Sequence, residues 1–119
     1  MRRILVVDDD PDVRARVRRQ LDHAGYEVID AEDAKSAAAA LAEGAADLII
    51  ADINMPKMSG DAFVATLRAE ERTAQIPVIY LTALEEDHEL VVKTLGYPVL
   101  AKALMARDLI PMVKRQLRR

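Results

Sequence analysis

The chain has 119 residues, 51% of them hydrophobic, enough for one packed core and too few for a second domain. A formal net charge of −3 argues against a nucleic-acid-binding domain, and the lack of cysteine excludes disulfides, thiol catalysis and cysteine-based zinc sites. No apolar run approaches the roughly 20 residues of a membrane span, and Ile4-Leu5-Val6-Val7 is too short for a signal peptide, so one soluble, cytoplasmic domain over residues 1–119 is expected.

Taken in order, the elements alternate between apolar runs and helical periods. Ile4-Leu5-Val6-Val7 is a short, β-branched run and reads as a buried strand. Asp10-Pro11 is a helix start, with an N-cap followed by a proline that needs no N–H there. Val13, Val17 and Leu21 then mark an apolar helix face, ended at Gly25. Tyr26 to Ile29 is a second strand. Ala34, Ala37, Ala38 and Leu41 line a second helix that stops near Gly44, and Asp47 to Ala51 holds a third strand. After a loop through Gly60, Phe63 and Leu67 mark a third helix, and Val78-Ile79-Tyr80-Leu81 a fourth strand. Glu85, Glu86 and Asp87 suit the first turn of a fourth helix, which Gly96 ends. Val99 to Ala101 is a fifth strand. Leu109, Val113 and Leu117 face inward from a last helix, which Pro111 delays to a start near Asp108 or kinks. Five βα units with short connections predict an α/β fold: a parallel sheet, doubly wound, in the flavodoxin-like order 2-1-3-4-5.

In such sheets ligands bind beyond the carboxyl ends of the strands. Asp8, Asp9 and Asp10 follow the first strand, Asp52 the third, Thr82 the fourth and Lys102 the fifth. Adjacent carboxylates repel unless a cation or proton joins them, and a hard, octahedral ion such as Mg²⁺ is their natural partner. An aspartate can act as a nucleophile and form an aspartyl phosphate. A hydroxyl and an ammonium beside it would stabilise phosphoryl oxygens. The plainer readings are an acidic capping loop for Asp8 and Asp9, a strand-end threonine and a surface lysine. His23 and His88 read as surface residues, Met55 and Met58 as loop packing, and the closing Lys114, Arg115, Arg118 and Arg119 as a solvated helix end.

The runs Val6-Val7-Asp8-Asp9-Asp10-Pro11, Asp52-Ile53-Asn54-Met55-Pro56-Lys57-Met58-Ser59-Gly60, Leu81-Thr82-Ala83 and Ala101-Lys102 stand in one order. Together they make the chain resemble, over essentially its whole length, the receiver domain of two-component response regulators. The resemblance implies that Asp52 is the phosphoacceptor, that Asp9 ligates Mg²⁺ directly with Asp8 assisting, and that Asp52 and the carbonyl of Asn54 complete the protein's metal ligands. It implies that Thr82 is the switch hydroxyl and Lys102 the lysine that pairs with the phosphoryl group. The donor would be a histidine kinase or phosphotransfer protein. The chain would catalyse its own phosphorylation and slow dephosphorylation rather than turn over a separate substrate. Output would go to a protein target, with no nucleic acid or membrane contact, from a monomer or weak homodimer.

Several positions depart from the family pattern. Ala103 follows Lys102 where a proline with a cis bond is usual, so a trans bond is expected. Val99 stands where an aromatic is common, with Tyr97 two residues earlier, and the usual Gly-Ala-Asp turn is missing. These departures motivate an alternative, a degenerate receiver that binds a partner without phosphorylation. A phosphatase of the haloacid-dehalogenase type would use Asp8 as nucleophile, but Asp12 does not fit its motif and no cap domain fits the length. A flavin module would need a hydroxyl-rich loop after the first strand, which is absent.

Overall fold

The apolar runs pair into a parallel sheet because each is too short and too branched for a helix and the central ones are covered on both faces. The computed structural model describes residues 1–53, 60–83 and 97–118. Its strands are β1 (Arg3–Val7), β2 (Glu27–Ala31), β3 (Leu48–Asp52), β4 (Val78–Thr82) and β5 (Val99–Ala101), in the order β2-β1-β3-β4-β5. All pairings are parallel. β3 and β4 are buried along their whole length, whereas the edge strand β2 buries Val28 and Ala31 and exposes Glu27 and Asp30.

Side chains alternate across the sheet, so each strand feeds two cores. Ile4 and Val6 of β1 join Val13, Val17 and Leu21 of α1 (Pro11–His23), and Met105, Leu109 and Val113 of the C-terminal helix (Met105–Leu117). Leu5 and Val7 point the other way, toward Ala37 and Leu41 of α2 (Ala34–Glu43) and Phe63, Val64 and Leu67 of α3 (Gly60–Ala69). Tyr80, fully buried, meets Tyr97 edge-on at 5.8 Å between ring centroids.

The start signals of α1 and α2 act as expected. Asp10 caps α1 by accepting the Asp12 N–H, and Pro11 takes the first helical position. Asp33 caps α2 through the Ser36 N–H. After α1 the chain turns at Gly25, whose φ of +92° suits a residue without a Cβ. Two expectations need correction. Ala38 is exposed, and the buried face of α2 is carried by Ala37 and Leu41. The last helix starts at Met105 rather than near Asp108, and Pro111 lies inside it. Met105 and Leu109 are both fully buried one helical turn apart, which anchors the early start. Pro111 faces solvent, where water can satisfy the carbonyl that lacks its N–H. A 3₁₀ turn over Lys102–Leu104 leads into this helix, and no peptide among the described residues is cis, the Lys102–Ala103 bond included. The expected fourth helix, with Glu85, Glu86, Asp87 and His88, and the loop 54–59 lie outside the described residues.

Candidate functional site

Register brings the polar residues together. Val7 pairs with Ala51, so Asp8 and Asp52 leave neighbouring strands side by side. Asp52 pairs with Leu81 and Thr82 with Ala101, which sets Thr82 and Lys102 at the same edge. Asp8, Asp52 and Thr82 are only 0%, 5% and 1% exposed, an unusual density of buried polar groups at one strand edge.

Asp8 is held on several sides. Its N–H donates to the Ala31 carbonyl at 3.1 Å, and its Oδ1 accepts the Asp10 N–H at 2.9 Å. Its own carbonyl accepts from the Arg14 guanidinium at 2.6 Å. The second carboxylate oxygen, Oδ2, is buried and accepts no well-aligned hydrogen bond, although the Lys102 ammonium stands 3.0 Å away. The same Nζ lies 3.1 Å from Asp52 Oδ2, so Lys102 bridges the two carboxylates. Burial pushes the Asp8 carboxyl above the usual carboxylate range; the Asp10 N–H and the Lys102 ammonium oppose this, and the Asp52 charge adds to it. Burial by itself would lower the Lys102 ammonium, but the close contacts and negative charge of Asp8 and Asp52 outweigh it and hold the group above the ordinary lysine value.

Asp9 is exposed on the rim. One oxygen from each of Asp8, Asp9 and Asp52 lies within 4.8 Å of the others. Three carboxylates with an under-bonded buried oxygen make a donor set that fits a hard divalent cation, which favours oxygen ligands and completes its shell with water. The carbonyl of Asn54, the fourth expected ligand, lies outside the described residues. His23 lies exposed at the end of α1, away from this edge.

A model of the response regulator receiver domain matches residues 4–114. The chain belongs to that family. This receiver domain is 36% identical over 118 residues to the phosphate regulon transcriptional regulatory protein PhoB of Pseudomonas aeruginosa, covering 98% of the chain and 52% of that protein. It is 41% identical over 91 residues to the DNA-binding dual master transcriptional regulator RpaA of Synechocystis, covering 76% of the chain and 38% of that protein. The chain therefore spans about half the length, or less, of these relatives. Among solved structures, chemotaxis response regulator CheY4 of Vibrio cholerae superposes with a TM-score of 0.87 at 32% identity, over 98% of both chains. Response regulator TrrA of Thermotoga maritima, in complex with Mg²⁺-BeF, gives 0.84 at 31% identity over 98% of this chain and 99% of that one. No helix among the described residues is long and apolar enough to cross a membrane.

Sequence reasoning missed Arg14. It is one of four arginines on α1, and nothing in its spacing distinguishes it from the solvated ones. Arg68 was also missed: it donates to the Tyr97 hydroxyl at 2.8 Å and to the Thr73 and Ile76 carbonyls, tying the end of α3 to the approach to β5.

Proposed function

We propose that this receiver domain is a phosphorylation-dependent signalling switch whose acceptor is Asp52, working with Mg²⁺ held by Asp8, Asp9, Asp52 and the Asn54 carbonyl. The observation that carries the reading is the Lys102 ammonium, within 3.1 Å of both Asp8 and Asp52 at an edge where three carboxylates converge. Such an edge has a nucleophile and a fixed positive charge ready for an anionic group.

In the reaction, an Asp52 carboxylate oxygen attacks the phosphorus of a phosphohistidine on a kinase or phosphotransfer protein. The P–N bond breaks, the imidazole leaves, and an aspartyl phosphate remains. Burial of Asp52 beside Lys102 strips water from the nucleophile and leaves a preorganised cation near the incoming oxygens. Lys102, drawn between two carboxylates at rest, can exchange one of them for a phosphoryl oxygen as charge moves there. The Thr82 hydroxyl, at the end of the adjoining strand, donates to another oxygen, so its position depends on whether Asp52 carries phosphate. Bound Mg²⁺ supplies charge neutralisation for the phosphoryl oxygens. Output goes to a protein partner that reads the altered surface.

The test is incubation with Mg²⁺ and acetyl phosphate, followed by intact mass. A phosphate-sized gain in the native chain, absent in Asp52→Ala and without metal, is expected. No gain from a folded sample with acetyl phosphate or a phosphohistidine donor would overturn the reading in favour of phosphorylation-independent binding.

A further inference from the structure

We infer that Arg14 is a positioning residue for the metal-binding loop, a role that rests on the proposed Mg²⁺ site. Arg14 lies in α1, yet its guanidinium turns back to the carbonyl of Asp8 at 2.6 Å, a short, charge-assisted bond across six residues. That carbonyl belongs to the peptide joining Asp8 to Asp9. The other fixed points of the loop act elsewhere: the Asp8 N–H on the Ala31 carbonyl, the Asp8 Oδ1 on the Asp10 N–H, and the Asp10 side chain and carbonyl on the N–H groups of Asp12 and Arg14. Arg14 is the bond that sets the tilt of the Asp8–Asp9 peptide plane.

Asp9 needs this. Its carboxylate is exposed and accepts no hydrogen bond from the described residues, so the position of its backbone sets how far it reaches toward the other two. Asp8, by contrast, is walled in. A peptide plane free to rotate would swing the Asp9 oxygen away from the other two carboxylates, which lie within 4.8 Å of it. Arg14 thus holds one ligand by fixing the backbone before it, an outer-sphere role that tunes affinity without touching the ion.

The sign of the effect separates geometry from charge. A guanidinium near a cation site repels the cation, so loss of its charge alone tightens Mg²⁺ binding. Loss of a positioning bond weakens it. The experiment measures Mg²⁺ binding by calorimetry on the full chain, native, Arg14→Met and Arg14→Lys, with the melting temperature of each and the rate of phosphorylation by acetyl phosphate. Arg14→Met is expected to weaken Mg²⁺ by roughly tenfold, the scale of losing an outer-sphere partner. Arg14→Lys, with the charge kept but the planar fork gone, is expected to recover part of the loss. Phosphorylation at saturating Mg²⁺ is expected to return most of the way to the native rate in both. Equal or tighter Mg²⁺ binding in folded Arg14→Met overturns the inference while leaving the switch intact. If Arg14→Met fails to fold, Arg14→Ala takes its place, and native-level or tighter affinity in that variant does the same. If the native chain neither binds Mg²⁺ nor takes phosphate, the site reading itself fails, and this inference with it.

Discussion

The two ends of the sheet carry similar residue types under opposite conditions. At the amino end, Arg3 donates its N–H to Asp47 at 2.8 Å and faces Glu27 at 3.9 Å, with its side chain about a third exposed and that of Glu27 about half. At the carboxyl end, Asp8, Asp52 and Lys102 make contacts of 3.0 and 3.1 Å with side chains 0%, 8% and 18% exposed. Solvated charges need little from each other and contribute little. Buried ones are expensive to desolvate and persist only where partners hold them. The carboxyl end is therefore where this fold keeps charge at a cost to its stability, and that is where the proposed chemistry lies.

Breaking this contrast should show effects of very different size. The largest is categorical: Asp52→Ala is expected to abolish phosphate uptake from acetyl phosphate, read by intact mass, while remaining folded by circular dichroism. Next, Lys102→Met leaves two buried carboxylates with no cation between them. A loss of about 3 kcal/mol is expected in urea denaturation without metal, the scale of breaking a buried pair. Added Mg²⁺ should restore part of it. In the native chain, Mg²⁺ at a hundredfold above its dissociation constant is expected to add about 2.7 kcal/mol, read as a rise in the urea midpoint that chelation reverses.

Asp8→Asn sharpens the comparison through pH. The folded-state value for Asp8 lies above its usual 3.8, so the folded chain binds the proton more tightly than the unfolded one. Its contribution is fully present below 3.8 and is lost as pH rises through the folded value. At neutral pH, Asp8→Asn is therefore expected to melt higher than the native chain without metal and to gain less from Mg²⁺. That advantage should vanish below pH 3.8. A flat difference across pH would assign the Asp8 burden to something other than its charge. At the other end, Glu27→Gln is expected to change stability by less than about 1 kcal/mol, and by less still in high salt.

Much of the architecture was legible in the chain before folding. Continuous runs such as Leu48-Ile49-Ile50 imply burial on both faces, the Asp10-Pro11 pair fixes where α1 begins, and Gly25 fixes where the chain turns after it. These are local signals, governed by one residue's backbone preference or a short hydrophobic period, so the sequence carries them without its neighbours in space. Placement of Asp8, Asp9, Asp52, Thr82 and Lys102 at the carboxyl edge of the sheet followed from the same alternation plus the expected strand order, although Asp52 and Thr82 close β3 and β4 rather than follow them.

Other features depend on groups far apart in the chain. Which of two adjacent aspartates is buried and which lies on the rim is decided by the wall that β2, α1 and Lys102 build around Asp8. The Lys102 bridge spans 50 residues to Asp52, and no local pattern encodes it. Pro111 signals a late helix start by local rules, yet the helix begins at Met105, because buried Met105 and Leu109 anchor the turn before it and the proline faces water. The sequence by itself determined the five strands, their order and the polar residues at the carboxyl edge of the sheet, since these rest on short-range backbone and burial preferences. Only the tertiary structure decided which charges are stripped of water, which cation joins them, and that Arg14 reaches back to the Asp8 carbonyl, because desolvation and hydrogen-bond geometry exist only once the chain is packed.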